Sequence, residues 1–147
     1  MIFGKNRAAA FSLIEILIAM AIIGTMFALM APNAMKYFGR AKKTATISNL
    51  QALKQALQEY YNEIGHFPNK AEGNLNALVK MPKGDKFKTR WTGPYIEGDE
   101  LPEDGWKQPF VYNAPPVKYK KYKFYELYSI GETGDEDAKN EDLAVGA

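Results

Sequence analysis

The sequence predicts an α+β protein, with one long N-terminal helix followed by a small antiparallel sheet and a C-terminal loop. Three observations lead there. Residues 11–31 form an apolar run with a single charge, Glu15. Beyond it Ile47, Leu50, Leu53, Leu57, Tyr60/Tyr61 and Ile64 recur every three or four residues, the spacing of one helical face. The last third holds short aromatic-rich runs separated by Gly and Pro, the pattern of strands joined by turns.

The first element is the apolar run. From Phe11 to Ala31 there is no Pro, Lys, Arg, Asp or His, so residues 11–31 are long enough to cross a bilayer as a helix. Glu15 stands against that background. A carboxylate within a span costs about 2.5–3.5 kcal/mol at the bilayer centre and less toward an end, so an intramembrane acid is read first as functional. A cationic partner is expected for it.

Ahead of the span lies "MIFGKNRAAA", residues 1–10, with Lys5, Arg7 and three small residues. This resembles the charged region of a secretory signal, but an ordinary cleavage site follows the apolar region rather than preceding it. Cleavage between Ala10 and Phe11 would leave the span on the mature chain. The new α-amino group on Phe11 would then lie four residues from Glu15. Charge does not orient the span, because Lys5 and Arg7 precede it while Lys36, Arg40, Lys42 and Lys43 follow it closely.

Pro32 is expected to bend the helix, since it lacks an N–H and crowds the preceding turn. Residues 32–64 continue it as an amphipathic segment, and Gly65 ends it. A helix from about Ser12 to Ile64 would be about 80 Å long at about 1.5 Å per residue. The head, residues 65–147, opens with "GHFPNKAEGNLNALV", read as a Pro turn shaped by His66 and a second short helix using Leu75, Leu78 and Val79. The runs at 91–96, 101–113 and 122–134 are read as short antiparallel strands, the last with unlike faces because Tyr125 and Leu127 alternate with Phe124, Glu126 and Tyr128.

Composition narrows the function. The chain has 147 residues and a net charge of +2, enough for one span and one compact domain. With no cysteine and one histidine, it offers no disulfide framework, no thiol nucleophile and little for His-based catalysis or His-rich metal sites. The run "KYKKYKFY", residues 118–125, interleaves lysines with aromatic rings as a nucleic-acid surface would. It also reads as a solvated edge hairpin protected against aggregation.

The basic leader followed by "FSLIEILIAMAIIG" resembles the class III signal of type IV pilins and type II secretion pseudopilins, with Ala10 standing where that family usually has Gly. The motifs "GHFP", "WTGPYI", "LPEDGWKQPFVY" and "YELYSIG" extend the resemblance over essentially the whole chain, to the major pseudopilins of type II secretion. Asp104–Lys107, "DGWK", replaces the family's D-P-W-G. The resemblance implies a pilin-like α+β fold and a non-enzymatic subunit of a self-assembling filament. A prepilin peptidase would cut between Ala10 and Phe11 and methylate Phe11. Glu15 would pair with a neighbouring subunit's Phe11 amine during assembly.

The implied location is the bacterial inner membrane, crossed once with the N-terminus cytoplasmic and the head periplasmic, and then a periplasmic filament. Implied partners are copies of the chain, minor pseudopilins and the inner-membrane secretion platform; no nucleic acid is expected. Two alternatives stay open: a type IV pilin or competence pseudopilin serving DNA uptake, and an ordinary single-span protein, which would leave Glu15 without a role.

The resemblance further implies calcium in the loop after "YELYSIG". Asp142 leads the candidate ligands, followed by Glu141, Asp137 and Asp135, with oxygens from Leu127 and Ser129 nearby. Thr133 replaces an earlier acid of that pattern, and its Gly-Gly step is missing. The segment is not an EF-hand, because Lys139, Asn140 and Gly146 occupy positions where an EF-hand needs a ligand, a turn Gly and a closing Glu. A solvated acidic tail is the other reading of residues 129–143.

Overall fold

The computed structural model describes residues 11–135 and 141–147. Helix α1 (Leu13–Ile64) is followed by 3-10 turns at Lys70–Glu72 and Asn74–Leu78, helix α2 (Asp85–Lys88) and strand β1 (Val111–Asn113). Strand β2 (Glu126–Tyr128), a 3-10 turn at Glu141–Leu143 and strand β3 (Ala144–Gly146) complete the chain. The sheet has the order β1-β2-β3 and is antiparallel throughout, with Leu127 opposite both Tyr112 and Val145. It is the α+β, pilin-like arrangement expected.

The chain divides into two compact units between Gly39 and Arg40. In the first, α1 carries Leu13–Met30, a stretch long and apolar enough to cross a membrane. Leu13, Ile16, Leu17, Ile22 and Phe27 are all exposed there. A helix apolar on every side has no stable place in water and needs lipid or other apolar helices around it.

In the second unit the C-terminal half of α1 supplies one wall of the core. Thr46, Leu50, Leu53, Leu57, Tyr60 and Ile64 are buried, spaced alternately four and three residues apart, which keeps them on one face. Ile47, expected on that face, is 38% exposed, and Thr46 takes its place. The polar residue fits because its hydroxyl donates to Lys42 O at 2.9 Å and accepts from Gly105 N at 2.9 Å. Gly65 ends the helix with φ 92°, donating to Tyr61 O at 2.8 Å. Glycine carries no Cβ penalty in that left-handed conformation.

The turn after α1 forms as expected. His66 Nδ1 lies 3.2 Å from Phe67 O, and its ring tilts against Tyr60. Asn69 caps the first 3-10 turn in a reciprocal box with Glu72. The second short helix is the 3-10 turn at Asn74–Leu78, burying Leu75, Ala77 and Leu78, so Ala77 rather than Val79 completes its inner face.

The strands are fewer and shorter in the runs 91–96, 101–113 and 122–134 than their pattern predicts. Residues 91–96 form no strand, because their polar groups are committed elsewhere. Trp91 Nε1 donates to Ala77 O, Thr92 N to the Glu63 carboxylate and Tyr95 N to Leu78 O, while Pro94 has no N–H to give a ladder. Of residues 101–113 only Val111–Asn113 pair. Before them Asp104 Oδ1 gathers the N–H groups of Trp106 and Gln108, each at 2.8 Å, an Asp-centred turn that competes with a strand. Of residues 122–134 only Glu126–Tyr128 pair, and all three are buried, so β2 lacks the unlike faces expected.

The "DGWK" variation has a local reason. A Cβ on Gly105 would collide with the backbone carbonyl of Lys42, so the proline of the D-P-W-G pattern could not sit there without a backbone shift. Lys107, where that pattern has glycine, adopts φ 65°. A left-handed non-glycine residue costs about 1–3 kcal/mol, and the extra freedom of an unfolded glycine returns about 0.4–1 kcal/mol of that. Lys107→Gly is therefore expected to raise stability by about 1 kcal/mol, read as a higher thermal midpoint. A lower midpoint would show that Lys107 is not strained.

Candidate functional site

Two regions carry the candidate residues, and each is described on its own unit. At the N-terminal end, Phe11 is exposed and Glu15 occupies the first turn of α1, with its N–H bonded to Ser12 O at 3.0 Å. A carboxylate there meets the positive end of the helix dipole. No described residue forms an ion pair with Glu15. Ala10 lies outside the described residues.

At the C-terminal end, the 3-10 turn brings Glu141 and Asp142 beside the sheet, directly before β3. Asp142 forms an ion pair with Lys43 of α1, and Glu141 lies 3.5 Å from Lys121 Nζ. The hydrogen bond from Lys43 holds the Asp142 carboxyl below its usual range, against a smaller desolvation cost. The turn is tied to β2 by Ser129 N donating to Leu143 O at 3.0 Å. The Ser129 hydroxyl donates to Asp104 Oδ2 at 2.6 Å and accepts from Gly131 N at 2.9 Å.

Leu127 is buried at the centre of the sheet, and Asp135 is exposed. Asp137 lies outside the described residues.

Calcium needs six to eight oxygen ligands, mostly carboxylate and carbonyl. The described candidates do not form that shell. Ammonium groups already engage Asp142 and Glu141, the Ser129 hydroxyl is spent on Asp104, and no three acidic or imidazole groups converge among the described residues.

The lysine-rich run is not an edge hairpin but the connection from β1 to β2. Tyr119 and Tyr125 point inward, so two of the rings a base-stacking surface would need are buried. Lys118 Nζ lies 4.8 Å from the centre of the Tyr128 ring.

The organising group of this connection is Glu126, which is fully buried. Its Oε1 accepts from Asn113 Nδ2 at 2.7 Å, Val117 N at 3.1 Å and Lys118 N at 3.0 Å. Its Oε2 accepts from Lys118 N at 3.0 Å and Tyr119 N at 2.6 Å. Burial pushes the carboxyl up, but the N–H groups of Lys118 and Tyr119, the Asn113 amide and the Val117 N–H outweigh it and leave Glu126 below the usual range. The sequence did not single out Glu126 or the lysine partners Lys43 and Lys121. Only the odd acid inside an aromatic run hinted at Glu126.

An apolar N-terminal helix with one acid in its first turn, and a small three-stranded head built on its C-terminal half, define a pilin-like subunit. Residues 33–147 match the family model "Type II secretion system (T2SS), protein G", and residues 5–31 match "Prokaryotic N-terminal methylation motif". The chain belongs to the type II secretion system protein G family.

It is 32% identical to the type II secretion system core protein G of Pseudomonas aeruginosa, over 97% of this chain and 96% of that one. To the core protein G of Escherichia coli K12 it is 30% identical, over 90% and 89%. The crystal structure of the major pseudopilin from the type 2 secretion system of enterohaemorrhagic E. coli shares the fold, with a TM-score of 0.57 at 24% identity, covering 78% of this chain and 92% of that one. The methylation motif and the apolar helix together fit a membrane-anchored subunit.

Proposed function

We propose that this chain is the major structural subunit of a type II secretion pseudopilus, polymerising with itself into a periplasmic filament that drives export of folded proteins across the outer membrane. Before assembly it sits in the inner membrane with its N-terminus cytoplasmic and its head periplasmic. The secretion platform and minor pseudopilins are its partners there. Its role is structural rather than catalytic.

The observation that carries this reading is the first turn of α1, where Glu15 stands alone among exposed apolar side chains directly behind Phe11. Such a helix asks for apolar neighbours and a cation. A second copy of the chain supplies both once residues 1–10 have been removed, through its own apolar helix and its Phe11 amine. Repetition of that contact never closes, because each subunit offers different surfaces to its two neighbours, and an open heterologous contact builds a helical filament.

The test is intact-mass measurement of the protein recovered from membranes that contain its native prepilin peptidase. The expected species is residues 11–147 with one methyl group on the Phe11 nitrogen. Recovery of full-length chain alone would overturn the processing step, and with it the pairing assigned to Glu15.

A further inference from the structure

We infer that two lysine ammonium groups, those of Lys43 and Lys121, take the place of a bound metal cation in fastening the C-terminal turn, so that the head folds without calcium. Three features carry this. Glu141 and Asp142, the pair that the family pattern would offer to calcium, each face a lysine. The lysines come from different elements: Lys43 lies on α1, three residues before buried Thr46 and on the same side of the helix, while Lys121 lies in the β1–β2 connection. The fastened turn feeds β3 directly, and its Leu143 carbonyl accepts from Ser129 N beyond the end of β2. A positive charge on either side of the turn thus does what a divalent ion would do from its centre.

Both ion pairs are half-exposed, which limits what each contributes and makes them sensitive to screening. The inference does not depend on filament assembly, because it concerns the free subunit.

The experiment is thermal melting of the full chain in detergent micelles, followed by Trp and Tyr signals, in chelator, in millimolar calcium and across a sodium chloride series. For the parent chain the midpoint is expected to be equal in chelator and calcium and to fall as sodium chloride rises. Lys43→Gln combined with Lys121→Gln is expected to lower the midpoint by about 2–8 °C. Lys43→Gln, Asp142→Asn and the two together are expected to lose about the same amount, because each removes the same contact.

A parent midpoint that rises with calcium and stops rising in Asp142→Asn would overturn the inference in favour of a metal site. An unchanged midpoint in the double lysine variant would overturn it in favour of a merely solvated tail.

Discussion

Glu126→Leu is expected to remove a large part of the stability of the head. The substitution keeps side-chain bulk but leaves the N–H groups of Val117, Lys118 and Tyr119, and the Asn113 amide, without the acceptor that gathers them. Each buried donor left unsatisfied costs about 1–3 kcal/mol. Val117 is exposed and water can serve its N–H, so the loss falls on the N–H groups of Lys118 and Tyr119 and comes to about 2–6 kcal/mol, a large share of the net stability of a domain, about 5–15 kcal/mol. Urea unfolding of the full chain in micelles, read by Trp fluorescence, is the measurement; a midpoint equal to that of the parent would refute the role.

Glu126→Gln separates charge from shape, since its amide oxygen still accepts while its NH2 faces the backbone donors. The pH dependence follows the same group. Its folded pKa lies below the ordinary value, so the stability it contributes is complete above that ordinary value and is lost as pH falls through the folded one. The Gln variant is expected to be less stable at neutral pH and to lack this part of the acid sensitivity.

The long helix and its packing face were legible because they are periodic over many turns, and periodicity survives a local irregularity. On that face Ile47 is apolar but one position out of phase and stays exposed, whereas Thr46 is polar but in phase and is buried. Thr46 is tolerated inside by hydrogen bonds to Lys42 and to Gly105, and the latter partner is 59 residues away.

The strands are shorter than their sequence pattern for the opposite reason. Aromatic runs with Gly and Pro predict ladders, whereas Asp104, Glu63 and Glu126 draw the nearby N–H groups to side-chain carboxylates. β3 has three small or apolar residues directly after the acidic stretch, and only its pairing with β2 defines it as a strand. The same limit applies to the C-terminal turn. Its acids were visible in the sequence, but the lysine that faces Asp142 lies 99 residues earlier, a distance no local pattern can bridge.

Glu15→Leu is expected to leave membrane insertion intact or easier while reducing filament assembly severely. The helix around Glu15 is exposed and apolar, so Leu at this position matches its neighbours and removes an insertion cost of up to about 2.5–3.5 kcal/mol. Within the proposed filament the same change strands the methylated Phe11 amine of a neighbouring subunit in an apolar interior. Removing one partner of a buried ion pair costs about 3–5 kcal/mol, or about two to three and a half powers of ten in the association constant at each contact.

Because every added subunit repeats the contact, the loss recurs along the filament and long filaments are expected to disappear. Glu15→Asp keeps the charge on a shorter arm and is expected to restore part of the yield, which an effect of bulk or hydropathy alone would not do. Two measurements decide it together: the amount of mature subunit in the membrane, and the number and length of sheared filaments seen by electron microscopy. Normal filaments from Glu15→Leu would mean that the carboxylate is only a tolerated acid near the membrane edge. A loss of filaments accompanied by a loss of membrane-inserted subunit would place the defect before assembly.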